Sequence, residues 1–336
     1  MAKIVLGLGA SHGPMISTPP DQWHLRVAAD EKANHPFRGA TYSFPKLVEL
    51  RKDEQLQNQI SPEKWRARHA ACQSALVRLA DAFEAARIDV AVIVGDDQYE
   101  VFSKTHSPWF FVYTGDKVAN EPASEQQRAM MPPGVAIAEA GHKPPRREVY
   151  TCAPGLARHL ADHIRVPGYP LAHADVFPNE GSAWSAGIPH AYGFIYRNIM
   201  RDRVIPNVPF FINTFFPPTQ PPAGVCVDLG PRLREAIESW PEDARVAVIA
   251  SGGLTHFVID EEFDRRALDL MQAKDHAGLS QLPEDHLQSG NSEIKNWMPV
   301  ASACDGAGLK MELVDYVPCY RSLAGTGTAN GFAIWH

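Results

Sequence analysis

Short continuous apolar runs alternate along this chain with longer stretches in which apolar residues recur every three or four positions. Residues 4–6, 90–94, 209–213 and 246–250 are such runs, the pattern of strands covered on both faces. Residues 332–335, Phe-Ala-Ile-Trp, are expected to close the sheet. Between the runs lie helices. Ser61-Pro62 is a start signal, an N-cap serine followed by proline in the first turn, and Cys72, Leu76, Leu79 and Phe83 then mark one helix face. Leu229, Leu233, Ala236, Ile237 and Trp240 repeat the spacing, and residues 156–164 and 263–271 are shorter examples. Helix followed by strand, several times over, predicts an α/β fold: one large domain spanning 1–336, with a mixed or mostly parallel central sheet flanked by helices.

Two regions break the pattern. Residues 14–60 and 115–150 are rich in proline, glycine and charge, and are expected to form long lid-like or partner-binding loops. Gly7-Leu8-Gly9 grazes a dinucleotide fingerprint, but His12 stands where its third glycine belongs, and the stretch from Pro14 is not expected to open a helix.

The 336 residues are 45% hydrophobic and 21% charged, as in an ordinary globular protein with a large core. A net charge of −7 argues against nucleic acid or an anionic membrane as the main partner. No segment approaches the roughly 18 to 20 apolar residues of a membrane span. The N-terminus lacks the features of a signal peptide. The five scattered cysteines have no C-x-x-C spacing and read as reduced thiols, so a cytoplasmic location is expected.

Chemistry concentrates where apolar runs end. Ser11-His12 follows the first, Asp96-Asp97-Gln98 the second, and Ser251-Gly252-Gly253-Leu254-Thr255-His256 the fourth; His190 follows an irregular stretch. Asp96 and Asp97 also suit turns or helix caps, and a lone histidine is often a packing residue. Parallel strands, however, bring their carboxyl ends together, which is where ligands collect in open α/β sheets. Glu293 lies at an expected helix start capped by Ser292, where the helix dipole favours a carboxylate.

Taken together, Ser11-His12-Gly13-Pro14, Asn213 to Pro218, Ser251 to His256 and Glu293-x-x-x-Trp297 resemble the class III extradiol ring-cleavage dioxygenases, the family of the catalytic subunit of protocatechuate 4,5-dioxygenase and of gallate and 3-O-methylgallate dioxygenases. The resemblance implies a non-haem Fe(II) held by two histidines and a glutamate, with open positions for an aromatic diol and O2. It makes His12 the first iron ligand and Glu293 the carboxylate ligand. His256 becomes the acid/base acting on substrate, and His190 a second active-site histidine.

One position departs from the family pattern. Where the second histidine ligand ends a strand, this chain has Gln98, a neutral amide and a weaker donor. Three readings follow. Gln98 or Asp97 coordinates the iron directly; another histidine, His106 being nearest in sequence, supplies the ligand; or the metal site is degraded. The first is favoured because the rest of the layout is retained. The expected function is Fe(II)-dependent cleavage of a catechol- or gallate-type diol, giving an open-chain acid. The rivals are a non-redox metal enzyme, such as a hydrolase or lyase holding Mn or Zn, and a non-catalytic subunit. Relatives' substrates are often carboxylated and would need a cationic or hydrogen-bonding partner; Arg38, Arg197 and Arg321 lie near the marked segments, and the sequence does not choose among them. A homodimer is expected, with a separate small partner subunit as a further option.

Overall fold

The computed structural model describes residues 1–103, 106–131, 134–165, 169–178 and 187–336. Its strands are β1 (Lys3–Ala10), β2 (Asn34–Phe37), β3 (Ala40–Ser43), β4 (Val90–Gly95), β5 (Phe110–Tyr113), β6 (Lys117–Asn120), β7 (Glu148–Thr151), β8 (Leu171–Ala174), β9 (Asn207–Ile212), β10 (Arg245–Ser251), β11 (His256–Val258), β12 (Met311–Tyr320) and β13 (Thr326–Trp335). Nine of these form one mixed sheet in the order β11-β13-β1-β10-β4-β9-β5-β8, with β12 on the other side of β13.

The middle of the sheet is parallel. β1 pairs with β10, β10 with β4, and β4 with β9, all in the same direction. Their carboxyl ends therefore emerge along one edge: Ala10, Ser251, Gly95 and Ile212 are the last residues of the four strands. β13 joins antiparallel to β1, and β5 antiparallel to β9.

Both faces of the sheet are covered, which is why its central strands are apolar at every position. Val90, Val92 and Val94 pack in one core cluster with Leu156, Leu160, Leu229, Leu233 and Trp297, from helices Pro154–Ile164, Ala223–Ser239 and Ile294–Gly306. The intervening Ala91 and Ile93 face the opposite cluster, with Cys72, Leu76 and Leu79 of helix Pro62–Ala85. Ser61 caps that helix as expected, its hydroxyl accepting from the backbone N–H of Lys64 at 3.2 Å. The result is a single α/β domain with helices on both faces of a large sheet. No helix among the described residues is long and apolar enough to cross a membrane.

Three expectations need correcting. Residues 332–335 do not close the sheet; they belong to a ten-residue strand lying between β1 and β12, since β12 adds a further antiparallel partner outside it. Pro14 does open a helical turn, Pro14–Ser17, because a proline in the first turn has no N–H to leave unsatisfied. Residues 14–60 and 115–150 are not structureless: they carry the hairpin β2–β3, strands β6 and β7, and several short helices. Their local order comes from long-range anchors rather than periodicity. Buried Trp23, for example, donates to the carbonyls of Met15 and Thr18, both at 3.1 Å, folding the first loop back on itself.

Candidate active site

The strand ends converge on a cavity of about 310 Å3 whose lining includes His12, Gln98, His190, His256 and Glu293. His12 follows β1 through Ser11, whose N–H donates to Gly331 of β13. Its imidazole Nδ1 lies 3.0 Å from the Ser251 hydroxyl at the end of β10. That hydroxyl spends its own hydrogen on the Ala191 carbonyl at 2.7 Å. It can therefore only accept from His12, which places the ring hydrogen on Nδ1 and leaves a lone pair on Nε2. Nε2 has no hydrogen-bond partner, although it sits 3.1 Å from Glu293 Oε2. A lone pair facing a carboxylate oxygen at that separation suits a shared cation, whether a proton or a metal ion.

His190 is built in the same way. It begins helix His190–Phe194, and its Nδ1 contacts Glu100 Oε2 at 2.6 Å while its backbone N–H donates to Glu100 Oε1 at 2.9 Å. His256, the first residue of β11, has its Nδ1 against the Leu254 carbonyl at 2.9 Å. Each of the three rings thus has Nδ1 engaged by another residue, while the Nε2 of His12 and that of His256 both face Glu293. This is how metal-binding and proton-transferring histidines are oriented by the residues behind them.

Among the described residues, one donor atom each from His12, Asp96 and His190 lie within 4.8 Å of one another. Asp96 follows β4 directly and is fully buried. Its Oδ1 accepts from Asn296 Nδ2 at 2.9 Å, but its Oδ2 has no partner. Burial, then the neighbouring Glu293, push its carboxyl up to about 6. Two imidazoles and a carboxylate with an unpartnered nitrogen and an unpartnered oxygen fit a divalent first-row metal. His12 and His190 rings meet edge to face at 4.7 Å.

Glu293 stands beside this set. Its Oε2 accepts the Gly253 N–H at 2.6 Å; its Oε1 accepts from Gln98 Nε2 at 3.1 Å and lies 3.1 Å from His256 Nε2. Burial opposes its charge, but His256 and His12 outweigh that and hold the carboxyl well below its usual range. The approach requires glycine at position 253, where a Cβ would lie 2.8 Å from His256 Nδ1. Burial likewise opposes charge on His190, but Glu100 overcomes it and raises the imidazole to about 10. His256 is raised against burial by Glu293.

The structure separates residues that the sequence could only group. Gln98 reaches the site, with its amide N–H directed at Glu293. Asp97 does not line the cavity: its carboxylate accepts the N–H groups of Glu100, Val101 and Phe102 at 3.0, 2.9 and 3.3 Å, which tie down the turn after β4. His106 is exposed and stacks on Phe102, away from the cavity. The other histidine beside His12 is His190. Ser292 is not the helix cap; the chain enters through a tight turn, Ser289–Glu293, in which the Ser292 hydroxyl donates to Ser289. That turn wraps His256, whose N–H donates to Asn291 Oδ1 at 2.9 Å, so the local backbone is set by the neighbouring loop.

Asp96 was visible as a polar strand-end residue that also suited a turn or cap, not as a metal ligand, and Glu100 and Ser251 were not visible as partners of histidines. Arg26, His142 and Lys143 also line the cavity, contributed by the two aperiodic regions. A strand-end carboxylate was the one available signal, for Asp96. Of the arginines considered, Arg38 pairs with Asp260 and Arg197 with Asp202, both outside the cavity lining. Arg321 lines it but is bound to buried Asp30 through Nε at 2.7 Å and Nη2 at 2.8 Å.

Residues 150–330, more than half of the chain, match the family model described as the catalytic LigB subunit of aromatic ring-opening dioxygenase. The protein belongs to that family. The matched span carries His190, Ser251, His256 and Glu293, and begins after His12, Asp96 and Gln98. Among curated relatives, gallate dioxygenase of Pseudomonas putida is 47% identical over 58 residues, covering 15% of this chain and 17% of that protein. The aligned segment is thus well under two thirds of that relative's length. A solved structure of an uncharacterized Escherichia coli K12 protein is 14% identical with a TM-score of 0.43, covering 77% of this chain and 91% of that one. That likeness is too distant to bear on function.

Proposed function

We propose that this chain binds Fe(II) and uses O2 to open the ring of an aromatic diol beside its hydroxyl groups. The observation that carries the reading is the set of three imidazoles lining one cavity with Glu293, each with Nδ1 engaged by another residue, and with a buried Asp96 oxygen within 4.8 Å of His12 and His190 donors. His12, Asp96 and His190 would hold the metal, with Glu293 against His12 as the alternative carboxylate. When bound, Fe(II) supplies open positions for the diol oxygens and O2, and the redox link between them.

The protein's own part is proton handling and exclusion of water. His256 faces Glu293 across 3.1 Å, and that carboxylate favours its protonated form. It would take the hydroxyl proton as the diol seats and return it as the ring opens. Leu254 holds the ring by its other nitrogen, keeping Nε2 beside Glu293 at the cavity wall. Phe194, Phe257, Val135 and Ala138 provide apolar wall for a planar ring. Phe257 is held at φ +66, a strained backbone setting of the kind that clusters at ligand clamps.

The test is anaerobic loading with Fe(II), metal quantification, and oxygen uptake against a panel of catechols and carboxylated diols. One iron per chain with uptake and ring-opened product upholds the reading. Bound metal without uptake points to a non-redox metal enzyme, and no bound metal to a non-catalytic role; either overturns it.

A further inference from the structure

Three cations line the cavity, Arg26, Lys143 and Arg321, and they differ in what surrounds them. Lys143 donates to the Ile188 carbonyl at 2.9 Å. Arg321 is neutralised by Asp30, which accepts two bonds from the guanidinium and a third from the Thr326 hydroxyl at 2.6 Å. Arg26 is half-buried, and its side chain makes no hydrogen bond or ion pair among the described residues.

Nothing in the lining is available to neutralise it. Asp30, whose charge favours the Arg26 cation, gives its hydrogen bonds to Arg321 and Thr326 rather than to Arg26. Glu100 is engaged by His190, Glu139 by Arg128 and the Ala123 N–H, and Glu293 by Gly253 and Gln98. Burial, then repulsion from Arg321, bring the Arg26 guanidinium down to about 10, so it still carries its charge near neutrality. Its stem is confined as well: a Cβ on Gly134, at φ +82, would lie 2.8 Å from Arg26 Cγ.

We propose that Arg26 is a specificity-determining residue that binds a carboxylate substituent on the aromatic molecule occupying this cavity. A planar guanidinium with free donors and no hydrogen-bonded counter-ion matches a carboxylate through two parallel hydrogen bonds, and a neutral substituent offers no such pairing. The inference rests on the ring-opening reading only for the identity of the aromatic ligand; the anionic subsite is argued from Arg26 and its neighbours.

The test is calorimetric binding, without oxygen, of 3,4-dihydroxybenzoate, its methyl ester and 3,4-dimethoxybenzoate to the wild-type chain and to Arg26→Gln and Arg26→Lys. The expected result is preference for the acid over the ester in the wild type. Arg26→Gln should then weaken binding of the acid about 10- to 100-fold. The ester should be unaffected and Arg26→Lys should retain part of the preference. Thermal melting of both variants checks that they fold. An equal loss for acid and ester, an unchanged acid affinity in folded Arg26→Gln, or no wild-type preference for the acid overturns the proposal. Oxygen uptake separates the two readings. Arg26-dependent binding of the dimethoxy acid without uptake from any diol upholds the subsite and removes ring opening; uptake from acid and ester alike, unchanged by Arg26→Gln, does the reverse.

Discussion

Ser251 accepts a hydrogen bond from His12 at 3.0 Å while donating to the Ala191 carbonyl at 2.7 Å, so a single hydroxyl decides which nitrogen of His12 faces the cavity. Removing it in Ser251→Ala leaves the ring free to change tautomer and tilt. Loss of such a supporting contact typically costs about 10- to 100-fold in metal affinity. Titration of the purified variant with Fe(II) or Zn(II) checks this, and an affinity equal to wild type would show that His12 is oriented by other contacts.

Two carboxylates compete to complete the metal site, and substitution separates them. If the cluster of His12, Asp96 and His190 holds the ion, Asp96→Asn should lose bound metal nearly completely. Glu293→Gln should then retain it while losing activity, through the changed environment of His256. The reverse pattern of metal content, read by elemental analysis after gel filtration, assigns the ligand to Glu293.

Gln98 now donates its amide N–H to Glu293 Oε1 at 3.1 Å. Replacing it by histidine introduces a better nitrogen donor for a divalent first-row metal at the same place. Gln98→His is expected to retain metal through a chelator challenge that strips the wild type at least partly. Equal stripping of both proteins would mean that this position does not reach the ion.

Asp264 gives a pH signature outside the metal cluster. It is fully buried, accepts from the Thr255 N–H at 2.7 Å, the Thr255 hydroxyl at 2.6 Å and the Tyr316 hydroxyl at 2.7 Å, and is raised by burial to about 7. An unfolded aspartate titrates near 3.9, so between roughly pH 4 and 7 the unfolded chain releases a proton that the folded chain keeps. The unfolded state then binds fewer protons, and this group's contribution to stability falls as pH rises through that window, staying constant beyond it. Asp264→Asn lacks the titration, so its urea midpoint should gain on the wild type from pH 4 to pH 7, by on the order of 1–3 kcal/mol in all. Parallel curves would refute the assignment.

Gly9 lies where β1 passes under helix Ile294–Gly306, and an added Cβ would sit 2.3 Å from the Trp297 ring. Gly9→Ala must displace a fully buried tryptophan, an overpacking cost of about 1–3 kcal/mol. A lowered melting temperature measures it. Because Trp297 also donates to the Gly252 carbonyl at 2.9 Å, reduced metal retention is expected alongside.

Some of this was legible along the chain because it depends on neighbours in sequence. Continuous apolar runs at 90–94 and 246–250 have the length and composition of strands covered on both faces, and a serine-proline pair before a three-and-four spacing is a strong helix start. Those two facts determined the layered α/β fold and put His12, Asp96 and Ser251 at strand ends.

What the sequence could not decide was which polar groups meet. Asp96 and Asp97 are adjacent and chemically identical, yet one keeps an unpartnered oxygen and brings a carboxylate oxygen within 4.8 Å of His12 and His190 donors, while the other ties down three backbone N–H groups. Glu100 and His190 are ninety residues apart, and His12 and Ser251 still farther, so their pairing exists only after parallel strands align their ends. Arg26 and Arg321 look alike in one dimension; in space Asp30 gives its hydrogen bonds to Arg321 alone of the two. Local pattern determines backbone and burial through short-range sterics and solvation, whereas donors and charges choose partners through distances that only the folded sheet defines.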